Sequence, residues 1–367
     1  MVDPELARRA KTLLDQLSEA PRFAGSQTEA RARTICRNEL ERSGFACREL
    51  SFDYSEAPGR WGPPLAAALQ VGTVVAVGET ASHVGSFSGL LLGGTLLSIL
   101  FFADARAKQR SITNFPFQRA QSVNLEARRG TARVWLVAHL DSKSQTVPML
   151  LRIASSVAAF AVMTFALVVL LVSFVGYDAT PGVWRAIDVA ALLAALPSLF
   201  CFVRNDSSGA VDNASGAVAV ILAAQSAVTP FDLGVLVTSG EELGLAGARV
   251  WAPTAPPEAI GLNCDTVDDM GGWRCMYTGS KPNRIVMAAE SVATRLGLRL
   301  SIGRLIPGIL ADSMALADWG IEAVTLSRGT LATLARIHTR RDNSSALTGT
   351  GAAEASALLS ALARELA

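Results

Sequence analysis

The sequence is poor in charged residues and in histidine, and its cysteines form no recognisable pattern. Of its 367 residues, 18% are charged and three are His, while the five Cys are an odd number without a Cys-x-x-Cys pair. This excludes a disulfide framework and a zinc-finger pattern. The first residues, Met1 to Lys11, are charged and lack the apolar core of a signal peptide, so we expect the chain to start in a reducing compartment. A net charge of +1 gives no reason to expect nucleic acid as a partner.

Apolar residues, by contrast, are abundant. They make up half of the sequence, and the mean hydropathy is +0.33, which indicates that part of the chain faces lipid. Four candidate membrane helices can be recognised: 64–78, 86–103, 152–178 and 184–203. The first is short and rich in Ala and Gly, and the fourth carries Arg185 and Asp188 near its start. These two charged residues would have to lie at the interface between lipid and water.

The remaining segments alternate strand and helix patterns. This predicts an α/β fold with a largely parallel sheet covered on both faces. The predicted strands and helices include a hairpin of strands 122–127 and 133–138 joined by Arg128-Arg129-Gly130. We predict one catalytic domain formed by residues 1–57, 104–145 and 204–367. Two transmembrane hairpins, at 58–103 and 146–203, would interrupt it.

Two adjacent carboxylates follow the most convincing strand. The apolar run 234–239 ends in Ser-Gly and is followed by Glu241 and Glu242. Active sites of open α/β sheets lie at the carboxyl ends of the strands, and adjacent acids in an apolar crevice require a positive partner. One acid could bind a metal ion while the other acts as a base. The alternative is an ordinary solvated turn.

Other potential metal ligands also follow predicted strands or lie in loops. His139 and Asp141 end one strand, Asp265 ends another, Asp212 precedes a helix, and His338 lies in a polar loop. Asp141 is placed to orient the ring of His139, and Asp212 could bridge two ions or simply cap its helix. Oxygen and imidazole ligands without thiolate suit a pair of Zn²⁺ ions, with Mn²⁺ or Co²⁺ as alternatives.

These segments resemble the co-catalytic di-zinc exopeptidases, a family that includes leucyl aminopeptidases, glutamate carboxypeptidase and glutaminyl cyclase. The matching motifs occur in family order: Ala24-Gly25-Ser26, Ala138-His139-Leu140-Asp141-Ser142, Asp212-Asn-Ala-Ser-Gly216, Ser239-Gly-Glu241-Glu242-Leu-Gly244, Asn263-Cys-Asp265 and His338-Thr-Arg-Arg-Asp342. The resemblance implies a three-layer α/β/α sandwich around a mixed, largely parallel sheet.

The resemblance also implies a role for each site residue. His139 and Asp265 would hold one zinc ion, Glu242 and His338 the other, and Asp212 would bridge the two. Asp141 would orient His139. Glu241 would take a proton from the attacking water and deliver it to the leaving amine.

Two features depart from the family pattern. In soluble relatives the residue equivalent to Asp212 follows shortly after the His-x-Asp segment, whereas here an apolar insertion separates them. At Asp312-Ser313, relatives commonly carry Asp-His, so we leave this position out of the site.

The site constrains the membrane topology. Because His139 and Asp212 must meet at one centre, the segment between them crosses the bilayer an even number of times, and the same holds for the first insertion. This favours four spans, with the positive residues on the catalytic side. They are Arg60, Arg106, Lys108, Arg110, Lys143, Arg152 and Arg204. The catalytic domain is therefore predicted to face the cytoplasm from the inner or plasma membrane.

The sequence thus predicts a membrane-anchored zinc exopeptidase, specifically an aminopeptidase, whose partners are a peptide or aminoacyl substrate and the lipid bilayer. Another amide hydrolase or a glutaminyl cyclase is the alternative within the enzymes. An inactive peptidase-like scaffold or binding module is the alternative outside them. Oligomeric state and side-chain specificity stay open.

Overall fold

The computed structural model describes residues 3–109, 115–226, 231–306 and 308–367, apart from the side chains of 100–109. The chain forms two compact units, each assembled from separate segments. We call them the sheet unit (Met1–Glu56, Phe115–Ser144 and Arg204–Ala367) and the helical unit (Ala57–Asn114 and Gln145–Val203).

The helices and strands are as follows. The helices are α1 (Pro4–Leu17), α2 (Gln27–Arg42), α3 (Ala57–His83), α4 (Ser86–Gln109), α5 (Met149–Phe174), α6 (Pro181–Leu199), α7 (Ser215–Gln225), α8 (Ala246–Trp251), α9 (Asn283–Arg295), α10 (Asp312–Asp318), α11 (Leu331–Arg336) and α12 (Thr350–Leu366). The strands are β1 (Ala46–Ser55), β2 (Arg119–Arg129), β3 (Val134–His139), β4 (Ser144–Gln145), β5 (Val203–Arg204), β6 (Leu233–Thr238), β7 (Ile260–Val267), β8 (Gly272–Tyr277), β9 (Leu300–Arg304) and β10 (Glu322–Gly329).

The sheet unit is built on an eight-stranded mixed sheet in the order β1-β2-β6-β3-β7-β10-β8-β9. Its four central strands, β6, β3, β7 and β10, are parallel. The antiparallel pairings are β1 with β2, β2 with β6, and β10 with β8. The predicted mixed α/β fold with a largely parallel core is therefore confirmed.

Helices cover both faces of the central strands. Every residue of β3 and of β6 is buried, as expected for strands without a solvated face. On one face Trp135 and Val137 pack with Trp251 of α8 and Leu316 of α10. Helices α7 and α12 also contact β3 and β7. The apolar, β-branched runs of the sequence thus became the buried centre of the sheet.

One predicted pairing is wrong. Residues 122–127 and 133–138 lie in β2 and β3, but these two strands do not form a hairpin, because β6 lies between them. β2 pairs antiparallel with β6, and β3 pairs parallel with β6 on its other side. The predicted turn begins two residues too early, because Arg128 and Arg129 continue β2 and pair with Gly234 and Leu233 of β6. The sequence pattern of residues 215–228 predicts a helix; the structure forms α7 at Ser215–Gln225, and residues 227 and 228 lie outside the described residues.

The helical unit contains α3, α4, α5 and α6. Three of them, Ala57–His83, Met149–Phe174 and Pro181–Leu199, are long and apolar enough to cross a membrane. The segment Ser86–Ile99 of α4 is apolar but shorter. Residues of α3, α5 and α6 pack into one apolar cluster that includes Val77, Leu170 and Trp184. Of the positive residues invoked for topology, Arg110 lies outside the described residues.

Gly234 in β6 offers a test of the packing at the centre of the sheet. A Cβ added there would lie 2.4 Å from ring carbons of the buried Trp135. We expect Gly234→Ala to lower the free energy of unfolding by about 1–3 kcal/mol, because the indole has no room to move. Thermal unfolding in detergent measures this.

Gly303→Ala in β9 is the matched control. A Cβ at Gly303 meets no heavy atom of the described residues within 4 Å, so this variant should unfold at or slightly above the wild-type temperature. Equal stability of the two variants would show that the indole is not held tightly against β6.

Candidate metal centre

Three neighbouring strands bring polar residues to one edge of the sheet. His139 is the last residue of β3 and lies opposite Thr238, the last residue of β6. Glu241 and Glu242 follow β6 in a short 3₁₀ turn, Glu241–Leu243. Asp265 lies near the carboxyl end of β7, the other neighbour of β3. Because the three strands are parallel, their carboxyl ends meet at one edge.

Asp212 reaches the same edge from the turn that precedes α7. The peptide bond between Asp212 and Asn213 is cis, and Asn213 bonds the backbone of β7, with its Nδ2 2.9 Å from the carbonyl oxygen of Cys264. Gly216 allows this approach, since a Cβ there would lie 2.3 Å from the same carbonyl oxygen. The start of α7 is therefore held directly against β7.

His338 comes from the loop after α11, with a left-handed backbone φ of 59°. Its Nε2 lies 3.1 Å from Asp212 Oδ2 and 3.1 Å from Glu242 Oε1. On the other side, His139 Nε2 lies 3.2 Å from Asp212 Oδ1 and 3.6 Å from Asp265 Oδ1. The two oxygens of Asp212 thus face two different imidazoles.

These distances fit two zinc ions. Tetrahedral zinc with bonds of about 2.0–2.1 Å keeps its ligand atoms about 3.3–3.5 Å apart. Two groups of buried residues offer ligand atoms within 4.8 Å of one another: His139, Glu241 and Asp265, and Asp212, Glu242 and His338. When ionised, the four carboxylates carry four negative charges, which two divalent cations would balance.

Glu242 provides a further sign of fit. Its Oε1 is buried, and His338 Nε2 lies 3.1 Å from it. A buried carboxylate oxygen is costly unless a positive group or a cation binds it. The donor set, its spacing and this oxygen all suit a pair of metal ions.

The electrostatics of the site reflect its crowded acids. Burial raises the pKa of Glu241 well above its ordinary value; His139 opposes this, and Glu242 and Asp265 add to it. The pKa of Asp212 lies below its ordinary value. Burial by itself would raise this pKa, but hydrogen bonds from His139 and His338 outweigh the effect of burial. Burial also disfavours ionised Glu242, yet His338 and Lys143 lower its pKa to about 2. The cluster therefore attracts positive charge strongly.

Two further buried carboxylates hold the backbone of the ligand-bearing segments. Asp141 accepts from the amides of Glu241 and Glu242, each at 3.2 Å. Asp342 accepts from the amides of Val211 and Asp212, at 2.7 and 3.2 Å. Each acid thus fixes two consecutive amides, one of which belongs to a predicted ligand, Glu242 or Asp212.

The predicted contact between Asp141 and His139 takes a different form from the one expected. His139 Nδ1 lies 3.0 Å from the backbone carbonyl of Asp141 and 3.7 Å from its carboxylate oxygen Oδ1. The carbonyl is therefore the nearer acceptor. The carboxylate serves mainly the two glutamate amides.

All seven site residues predicted from the sequence come together here, and each is nine-tenths or more buried. They are His139, Asp141, Asp212, Glu241, Glu242, Asp265 and His338. Sequence reasoning did not place two neighbours in the site. Lys143 Nζ lies 2.8 Å from Glu242 Oε2, and the buried Asp312 accepts a hydrogen bond from Thr238. Lys143 gave no signal beyond its charge. Asp312 did carry a signal, since it matches the Asp of the Asp-His pair in relatives, but Ser313 in place of His led us to leave it out.

Comparison with known proteins agrees with this centre. The model of peptidase family M28 matches residues 122–363, which is more than half of the chain. The chain belongs to this family. The prediction of a co-catalytic zinc exopeptidase family, which includes aminopeptidases and glutaminyl cyclases, is thereby confirmed. No curated protein sequence matches the chain.

Solved structures similar to this M28 protein include two aminopeptidases and a cyclase. An aminopeptidase from Aneurinibacillus sp. strain AM-1 has a TM-score of 0.59 at 13% identity, covering 98% of this chain and 93% of the other. A zinc aminopeptidase from Bacillus subtilis has a TM-score of 0.57 at 14% identity, and the match covers 98% of this chain and 95% of the other. A glutaminyl cyclase from Fimbriiglobus ruber has a TM-score of 0.56 at 15% identity, and the match covers 99% of this chain and 95% of the other. At these identities the likeness establishes the fold.

Glu29 is a buried acid next to the centre. Its Oε2 accepts from the amide of Gly25 at 2.7 Å, and its main-chain amide is capped by Ser26. Burial, with Asp141 adding to it, raises the pKa of Glu29 to about 8. The folded protein therefore holds a proton that the unfolded chain releases near its ordinary pKa.

This gives a pH-dependent prediction. Because the folded-state pKa is raised, the stability that Glu29 contributes is complete below about pH 4.5 and is lost as the pH rises through about 8. Glu29→Gln has no proton to lose, so its unfolding temperature relative to wild type should rise between pH 5.5 and pH 8.5. Thermal unfolding of the metal-free protein at both pH values measures this. Exposed Glu258→Gln is the control, and a Glu29→Gln difference that does not change with pH would contradict the prediction.

Proposed function

We propose that this M28 protein is a membrane-anchored, zinc-dependent aminopeptidase that hydrolyses N-terminal peptide bonds. The observation that carries the proposal is the position of Asp212 between two imidazoles, with its Oδ1 3.2 Å from His139 and its Oδ2 3.1 Å from His338. Such a carboxylate can bridge two cations. His139 and Asp265 would hold one zinc ion, and Glu242 and His338 would hold the other.

Glu241 is the proposed base. It is buried, and its Oε2 lies 3.9 Å from His139 Nε2, farther than the carboxylate oxygens of Asp212 and Asp265. When bound, the zinc ions would supply an acidified water and polarise the scissile carbonyl. The Glu241 carboxylate would take the proton of that water and deliver it to the leaving amine nitrogen. The main-chain amide of Glu241 donates a hydrogen bond to the carboxylate of Asp141, and this bond keeps Glu241 in place.

A glutaminyl cyclase is the second candidate, since solved cyclases share the fold with the aminopeptidases at similar TM-scores. An inactive scaffold is the third, and the set of buried ligands together with Glu241 argues against it. Turnover of aminoacyl-nitroanilides, compared with loss of ammonia from peptides that begin with Gln, separates the two enzymes.

Substitution of Glu241 tests the assigned roles. Glu241→Gln should lower kcat by on the order of 10²–10⁴-fold, because the proton shuttle is removed. It should retain as much zinc as the wild type, because the amide replaces a group that is not a ligand. Release of nitroaniline and zinc content by atomic emission are the two measurements.

Asp212→Asn is the matched comparison and should lose both zinc and activity. Loss of zinc in Glu241→Gln would make Glu241 a ligand instead, consistent with its place beside His139 and Asp265. Bound zinc without Glu241-dependent turnover would favour the scaffold.

The helical unit supports the membrane part of the proposal. α5 is long and apolar enough to cross a membrane. Phe160 and Phe165 on its surface are 63% and 56% exposed. Large apolar side chains at this exposure are expected where lipid is the solvent. The uncharged part of α4, residues 86–103, would span about 27 Å, close to the thickness of a hydrocarbon core of about 30 Å. We propose four spans with the sheet unit in the cytoplasm.

Cysteine labelling in cells tests this topology. Val84 follows α3 and is 72% exposed, and Tyr177 follows α5 and is 76% exposed. A membrane-impermeant maleimide should label Val84→Cys and Tyr177→Cys in intact spheroplasts. Glu258→Cys in the sheet unit should react only after lysis. Protection of Val84→Cys before lysis would remove the first hairpin from the proposal, and early labelling of Glu258→Cys would reverse the orientation.

A further inference from the structure

Arg22 is one of the largest fully buried side chains of the sheet unit, at 1% exposure, and it lies in the loop between α1 and α2. Its guanidinium donates to backbone carbonyls from three parts of the chain. Nε donates to the carbonyl oxygen of Leu140 at 2.8 Å, and Nη2 donates to the carbonyl oxygen of Gly209 at 2.9 Å. Nη1 bonds Leu17 and also Ser208.

These contacts join the two chain segments that flank the second insertion. The chain leaves the sheet unit after Ser144 and returns at Arg204. Ser142 Oγ lies 2.9 Å from the amide of Arg22 and donates to the carbonyl of Ser207 at 3.0 Å. Ser144 Oγ accepts from the amide of Asp206 at 2.9 Å. We call residues 140–144 and 206–209 the neck.

The predicted ligands lie directly beside the neck. Leu140 follows His139, and Gly209 lies three residues before Asp212. Closing a long insertion costs conformational entropy that grows with its length. The β4–β5 pair brings the ends of this insertion together. The hydrogen bonds across the neck then continue that closure from Ser144 towards His139 and from Asp206 towards Asp212.

The surroundings leave little room for another side chain. A Cβ at Gly209 would lie 2.5 Å from the Cβ of Ser142 and 3.3 Å from the guanidinium of Arg22. A buried cation is costly unless its donors are bonded and opposite charges are near. The four carbonyls provide the bonds, and Asp342 and Asp141 provide the charge.

We propose that Arg22 is a positioning residue that closes the neck of the second insertion and thereby sets the spacing of His139 and Asp212. Its guanidinium donates to main-chain carbonyls, so it acts through the backbone of the two segments. The part of this inference that concerns zinc rests on the proposed function, and the part that concerns the neck does not.

Arg22→Lys is the test variant in the full chain, because it keeps the charge and loses the planar fork that reaches several carbonyls at once. Zinc affinity is measured by competition with a chromophoric chelator, and the visible spectrum of the cobalt-loaded protein reports the ligand geometry. We expect zinc affinity to fall at least tenfold and the cobalt spectrum to change. Mutation of groups that orient metal ligands typically costs about 10- to 100-fold in metal affinity.

Arg33→Lys is the matched control. Arg33 is mostly buried and pairs with Glu49 on the edge strand β1, with Nε 3.4 Å from Oε1. Its substitution should lower stability without changing zinc affinity or the cobalt spectrum. A zinc loss equal in both variants would mean that Arg22 acts through general stability, and it would overturn the proposal.

Hydrogen exchange of the metal-free protein tests the neck without zinc. Arg22→Lys should speed exchange at least tenfold at the amides of Val211 and Asp212, which Asp342 binds, and Arg33→Lys should not. If wild type binds no zinc, the proposed function fails and this comparison still decides the role of Arg22. Unchanged exchange at these amides would overturn that role.

Ser142→Ala is the second variant, for the case in which Arg22→Lys does not fold. It removes only the hydroxyl that links Arg22 to Ser207. A smaller increase in exchange at Val211 and Asp212 supports the proposal, and wild-type exchange in Ser142→Ala contradicts it.

Discussion

The concentration of buried negative charge at one edge of the sheet is the constraint on which the rest of the structure depends. Asp212, Glu241, Glu242 and Asp265 lie within a few ångströms of one another, and each is more than nine-tenths buried. Such a cluster is stable only with cations or protons among the carboxylates. The two oxygens of Asp212 face His139 and His338, so the candidate ligands form two adjoining groups.

The fold meets this constraint with backbone hydrogen bonds. Parallel strands β6, β3 and β7 bring their carboxyl ends together, and two further acids then fix the loops. Asp141 binds the amides of Glu241 and Glu242, and Asp342 binds those of Val211 and Asp212. Each pair of amides belongs to a segment that carries site residues. The main chain at the predicted ligands is therefore fixed by hydrogen bonds, so only their side chains keep conformational freedom.

The insertions show how an M28 fold accommodates apolar segments without losing its centre. The chain leaves the sheet unit twice, after Glu56 and after Ser144. The first exit lies between antiparallel strands β1 and β2, which pair along their whole length. The second separates His139 from Asp212, and its ends are paired only by the short strands β4 and β5. Hydrogen bonds of Arg22, Ser142 and Ser144 add to this pairing on the side of the sheet unit.

The sequence by itself determined the family and the apolar segments, and it predicted seven site residues that the fold brings together. Polar residues after apolar strands and long uncharged runs are local patterns, which is why the sequence shows them. It could not determine that β6 lies between β2 and β3, since strand order depends on which surfaces bury each other. Only the tertiary structure placed Lys143 against Glu242 and Arg22 across the neck. These contacts join residues about 100 or more positions apart, and no local pattern encodes which distant backbone carbonyl a buried cation will meet.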